Sequence, residues 1–151
     1  YLIRLFPFGG SPNDGLGGAF DLDLSTGPAG DDTMPPPPPP PSIHVGDLDD
    51  VSVTLSSTRW RARATIRVHD GTHALLPGVV VRGRFGPNGS ALSCTTETGG
   101  ACTLKRDLKR ARLSIEFVVL GLSKEAHTYL AANNHDADGE SNGTRIVVTR
   151  P

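Results

Sequence analysis

Residues 60–68, WRARATIRV, set Trp60, Ala62, Ala64, Ile66 and Val68 against Arg61, Arg63, Thr65 and Arg67 in strict alternation. A period of two places the first set on one face of an extended strand and the second on the other. The segment therefore reads as an antiparallel strand with one side on a core and one in water. Shorter stretches of the same kind occupy residues 43–45, 51–55, 79–85, 91–94, 101–104, 112–120 and 145–149. Turn formers separate them: Asp70-Gly71, Pro77-Gly78, Pro87-Asn88-Gly89, Gly99-Gly100 and Asn142-Gly143. No segment carries a helical stripe, although residues 124–133 have room for a turn or two.

Seven or eight short strands between residues 43 and 151 predict an all-β domain, an immunoglobulin-like antiparallel β-sandwich. The Cys…Trp…Cys spacing of antibody domains is absent, so the expectation concerns architecture alone. Two stretches are more apolar than one-sided burial requires: Val79, Val80 and Val81, and Phe117, Val118, Val119 and Leu120. They read either as crowded central strands or as an outer patch that something else covers, since soluble proteins rarely leave large apolar patches open.

The first 42 residues differ in kind. They hold 10 of the 13 prolines and 7 of the 18 glycines. They also carry one Arg against five Asp, so the total charge of −1 conceals an acidic arm on a mildly basic domain. Such a balance argues against a general nucleic-acid binder, and no stretch approaches the roughly 20 apolar residues of a membrane span. Tyr1 opens the chain and the only Met is Met34, as expected of a processed or partial chain. Residues 1–8, YLIRLFPF, and 20–24, FDLDL, are short strand-like segments that need a sheet to join. Pro35 to Pro41 form an unbroken run that adopts polyproline II, a stiff spacer of about 22 Å. An extended Gly/Pro-rich N-terminal arm, residues 1–42, thus precedes the sandwich of residues 43–151.

Cys94 and Cys102 flank the turn material Gly99-Gly100 in SCTTETGGACTL. Opposed on a hairpin they close a small disulfide loop, which implies an oxidising compartment, extracellular or at the cell surface; two buried thiols are the alternative. Their spacing matches neither a redox CxxC nor a four-ligand zinc site.

Oxygen side chains crowd residues 134–144, NHDADGESNGT, where Asp136, Asp138 and Glu140 alternate. The first and last strands of a sandwich often lie together, which brings Asp47 and Asp49 of HVGDLDD beside that loop. Dense oxygen donors suit calcium, so this cofactor is the one the segment admits, though none is required. The competing reading is a solvated Asx-rich turn. The arginines at 59, 61, 63 and 67 offer a stripe for phosphate or acidic glycans, but alternation alone produces such a solvent face. His69 and His73 flank a glycine turn in HDGTH, and a pair of this kind does not by itself make a metal site. Asn88 and Asn142 begin triplets that match the N-glycosylation acceptor pattern, so glycans enter as partners. No nucleophile elbow, HExxH, phosphate loop or dinucleotide fingerprint occurs, and the reading is non-catalytic.

The strings SIHVGDLDD, SCTTETGGACTL and ANNHDADGESNGT followed by RIVV resemble an immunoglobulin-like accessory domain of bacterial secreted proteins. That domain often sits near the C-terminus of a multidomain protein such as an extracellular protease. The resemblance covers residues 42–150 and implies a non-catalytic sandwich with a short cystine hairpin. The layout of the arm is similar to the N-terminal extension of donor-strand pilins, an analogy of organisation.

Two functions follow as expectations. In the first, the chain is a structural subunit of an extracellular filament. Its donor strand (Tyr1, Leu2, Ile3, Leu5, Phe6 and Phe8) adds head-to-tail to the sandwich of the next copy, with Val79–Val81 and 117–120 as the acceptor groove. In the second, the chain is a C-terminal binding or spacer module of a secreted enzyme, and the arm is its linker.

Overall fold

The computed structural model describes residues 38–151. The donor-strand residues Tyr1, Leu2, Ile3, Leu5, Phe6 and Phe8, the segment 20–24 and the first three prolines of the run lie outside the described residues. Nine strands order the rest: β1 (Ser42–Asp50), β2 (Val53–Thr54), β3 (Arg59–Asp70), β4 (Val80–Phe85), β5 (Leu92–Thr95), β6 (Ala101–Lys109), β7 (Ser114–Ser123), β8 (Thr128–Tyr129) and β9 (Arg145–Thr149). A single 3-10 turn, Ala131–Asn133, lies between β8 and β9. The expected all-β class holds, and no described helix is long and apolar enough to cross a membrane.

The strands form two sheets. In the first, β3 is the spine. Along one of its edges pair β1 and then β2, along the other β6, all antiparallel. The short β8 adds parallel to the outer side of β1. The second sheet runs β5-β4-β7-β9, antiparallel throughout. One core joins the two. The alternating face of β3 (Trp60, Ala62, Ala64, Ile66 and Val68) is fully buried, and Val81, Phe85, Phe117, Val119, Ile146 and Val148 of the second sheet complete the same cluster. Phe85 and Phe117 stack with ring centroids 4.9 Å apart. Trp60 is buried end to end, and its indole N–H donates to the carbonyl of Arg112 at 2.8 Å, so its one polar atom is satisfied.

The boundaries depart from the sequence pattern where tertiary pairing overrides it. β1 runs to Asp50 instead of stopping at Val45, because a bulge between Val45 and Asp47 shifts the phase and keeps both Val45 and Leu48 in the core. β6 continues through Lys105, Arg106 and Asp107, which show no alternation of hydrophobicity. β3 supplies ladder partners out to Arg59, and Arg61 forms a two-point ion pair with Asp107 on the outer face. With Arg67 paired to Asp47 at 3.0 Å, two arginines of the stripe are neutralised by carboxylates of flanking strands.

Cys94 and Cys102 are joined in a disulfide. They are not opposed on a two-stranded hairpin, however. Cys94 lies on β5 of the second sheet and Cys102 on β6 of the first, so the bond ties the two sheets together at their edge. The residues of the expected acceptor groove sit on the paired strands β4 and β7, or immediately before β4 in the case of Val79. Val79, Val81, Phe117 and Val119 point into the core, while Val80 and Leu120 face outward and Val118 is half-buried. No slot separates these two strands; they hydrogen-bond to each other, and each is flanked by a further strand.

Replacing both cysteines with serine is expected to lower the unfolding free energy by about 2.5 kcal/mol, the entropy of the small loop they close, measured by urea denaturation.

Candidate metal centre

The site grows out of the β1–β3 ladder. His44 on β1 is the direct partner of His69 on β3, and partners across an antiparallel pair project to the same face. That face is the outer one, since Ile43 and Val45 on β1 and Val68 on β3 occupy the inner one. An outer face is normally wet. Here a second stretch of chain lies over it.

After β8 the backbone follows the free edge of β1. Leu130 N–H donates to the carbonyl of Ile43 at 2.9 Å, and His135 N–H to that of Val45 at 3.0 Å. Side chains continue where the ladder stops. Asn134 Oδ1 accepts from Val45 N–H at 2.9 Å and Asp136 Oδ1 from Leu48 N–H at 3.0 Å. The Asn134 amide also donates to the Tyr129 hydroxyl (2.8 Å) and to Thr144 Oγ1 (3.0 Å). This segment delivers His135 to the two ladder histidines.

His73 arrives from the turn after β3. Asp70 organises that turn: its Oδ1 accepts from Thr72 N–H (2.8 Å), the Thr72 hydroxyl (2.7 Å) and Ala74 N–H (3.0 Å). His73 sits in the left-handed region at φ 64°, which is uncommon for a residue with a Cβ.

Four of the chain's five histidines therefore converge, and one ring nitrogen from each lies within 4.8 Å of the others. Ring centroids are 4.9–6.0 Å apart across all six pairs. His44 is 1% exposed, His69 and His135 are half-buried, and His73 faces solvent. Two glycines make the space. A Cβ at Gly46 would land on the His69 ring, and one at Gly143 on the backbone of His135. Within the cluster both nitrogens of His44 and Nδ1 of His69 are buried without a hydrogen-bond partner. The His135 Nδ1 pairs with the carbonyl of Asn133 at 3.2 Å, which assigns the proton there and leaves Nε2 as an electron-pair donor.

Burial, followed by the neighbouring imidazoles, pulls the pKa of His44 and of His69 below the ordinary value; Asp70 and, for His69, Asp47 oppose this without reversing it. Neutral imidazoles are the ligand form, so the set suits a borderline transition metal.

The five carboxylates of the expected calcium site are brought into one neighbourhood only in part. Asp47, Asp136 and Asp138 offer oxygens within 4.8 Å of one another. Asp49 and Glu140 do not join that group, but they feel it. Burial and then Asp47 push Asp49 up, and the charge of Asp138 pushes Glu140 up. The three clustered carboxylates are already engaged. Asp47 holds Arg67, and Asp136 accepts from Leu48 N–H and, at 2.7 Å, Ser141 N–H. Burial raises Asp136, yet these bonds together outweigh it and hold its carboxyl below the usual range. Asp138 Oδ1 accepts from Glu140 N–H at 3.2 Å. These bonds shape the loop. Asn88 and Asn142 are both exposed, with the Asn142 side chain accepting from Thr144 and Arg145 N–H groups.

Sequence reasoning noted His69 and His73 as an isolated pair and passed over His44 and His135. The available signal was three separate histidine-bearing turns or strand starts (IHVGD, HDGTH and NNHDAD), in a chain otherwise sparing with histidine.

The pH dependence of stability in the absence of bound metal follows from the imidazole shifts. The unfolded chain takes up protons near pH 6.5, before the folded chain does, so stability present above that value drains away as pH falls toward the depressed folded-state pKa values. Melting temperature measured in chelator is expected to drop steadily from pH 7.5 to 5.5, and the drop to shrink in His44→Gln. Gly46→Ala should displace the His69 ring and lower the melting temperature at neutral pH.

Comparison with protein-family models, with curated proteins and with solved structures finds no match to this chain.

Proposed function

We propose that the chain is a non-catalytic, immunoglobulin-like module of an extracellular protein, serving as a binding or spacer unit on the C-terminal side of a secreted enzyme such as a protease. The observation that carries this reading is the self-sufficiency of residues 38–151. Both sheets share one core built from their own side chains, and the two apolar central strands of the second sheet are paired with each other.

Strand order supports the immunoglobulin-like assignment. β1-β3-β6 in one sheet and β5-β4-β7-β9 in the other follow the A-B-E and C′-C-F-G neighbours of that sandwich class. The disulfide supports an oxidising destination. So do the three sequence strings that resemble an accessory domain of bacterial secreted proteins.

A second reading, the filament subunit, is favoured by the outer face of the second sheet. Val80, Leu120 and Val147 are 40%, 45% and 58% exposed there, and β5 and β9 end the sheet with one edge each unpaired among the described residues. In that reading the apolar residues 1–8 of one copy add to such an edge of the next.

Size-exclusion chromatography with light scattering separates the two. The module reading expects a monomer of 15.9 kDa at micromolar concentration. Large assemblies that vanish when residues 1–8 are deleted would replace it with the filament.

A further inference from the structure

We propose that His44, His69, His73 and His135 form a four-imidazole site for a divalent transition-metal ion, zinc first, which clasps β1, the turn after β3 and the 134–144 segment together. The argument begins with an imbalance. Beside this site Asn134 uses all of its side-chain polar atoms, making three hydrogen bonds. Yet His44, 1% exposed, has neither ring nitrogen bonded, and His69 Nδ1 is buried in the same condition. A buried polar atom without a partner is costly, and in a native fold it calls for an explanation, a bound ion being one. One nitrogen from the His44 ring and one from each of the His69, His73 and His135 rings lie within 4.8 Å of one another, and such a convergence of imidazoles calls for an electron-pair acceptor.

The donor set selects the acceptor. Calcium and magnesium take oxygen ligands; four nitrogens suit zinc, copper or nickel. Zinc–imidazole bonds are about 2.0–2.1 Å in a tetrahedron. Donor atoms within 4.8 Å of one another reach that geometry if each ring moves inward by about 1 Å or less. The surroundings are built for it. The carbonyl of Asn133 fixes the His135 tautomer, as outer groups do for ligating histidines. Asp70 shapes the turn that holds His73 at its unusual φ, and Gly46 and Gly143 leave room for the His69 ring and the His135 backbone. With four protein ligands the coordination shell is closed, so the ion is structural. His73, on the solvent side, is the ligand through which metal enters.

The full chain, stripped with chelator and titrated with Zn²⁺ at pH 7.5, is expected to bind one ion with a dissociation constant below about 1 μM. A hundredfold excess over that constant should raise the melting temperature by roughly 10 °C. Co²⁺ should give the intense visible bands of a tetrahedral centre. His73→Ala and His135→Ala, both outside the strands, should each weaken Zn²⁺ binding by about 100-fold, while His127→Ala leaves it unchanged. These two variants carry the test even if His44→Ala fails to fold. Absence of stoichiometric Zn²⁺ binding, or affinity untouched in both His73→Ala and His135→Ala, overturns the proposal. Binding lost in Asp138→Asn but kept in His135→Ala overturns it equally, by moving the ion to the carboxylates.

Discussion

The pairing of β1 with β3 is the interaction on which the rest of this domain depends. β3 is the longest strand and pairs along both edges, and its inward face supplies five fully buried residues to the core. β1 satisfies one of those edges and in doing so meets a phase problem. Ile43 and Val45 point inward two apart, and Leu48 must also do so three residues later. The bulge at Gly46 absorbs the extra residue. Its side effect is chemical. His44 precedes the bulge and Asp47 follows it, and both emerge on the outer face, each beside a cross-strand partner: His69 for the first, Arg67 for the second.

That outer face would be ordinary solvent surface if the chain did not return to cover it. The segment from Leu130 to Asp136 hydrogen-bonds along the open edge of β1, first by backbone and then by the side chains of Asn134 and Asp136. An edge strand is a hazard for uncontrolled pairing, and covering it with a loop is one of the standard remedies. The cover also removes water from His44 and Asp47, leaving them 1% and 5% exposed. The two respond differently. Asp47 meets a guanidinium at 3.0 Å, while His44 meets three other imidazoles. Desolvation with a compensating charge is tolerable; desolvation of an unbonded ring is a debt within the fold, and it concentrates where the four histidines meet.

The disulfide contributes to a different part of the same architecture. By linking β5 to β6 it connects the sheets at the edge remote in sequence from β1 and β9. Sheet-to-sheet registration is thus secured covalently at one place and by core packing elsewhere. The four histidines lie elsewhere, on the face of the first sheet beside the 134–144 segment.

The alternation of residues 60–68 determined by itself that a strand lies there, which residues it buries and which it exposes, because a two-residue period has one geometric meaning. The all-β class, most turns, and the meeting of Asp47 with Asp136 and Asp138 were legible in the same way: they rest on local patterning and on the tendency of first and last strands to lie close. The extension of β6 through Lys105, Arg106 and Asp107 was not, since those residues are held by a neighbour's ladder and an ion pair rather than by hydrophobic phase. Nor was the disulfide's role in bridging two sheets, because a separation of eight positions between cysteines is compatible with either a hairpin or a crossover. The histidine cluster is the clearest case. His44 and His135 lie 91 positions apart, and the four histidines sit in three unrelated local contexts, so each reads as an isolated residue. Only strand register, a bulge and the path of a returning loop bring their rings to one point, and these are properties of the folded chain as a whole.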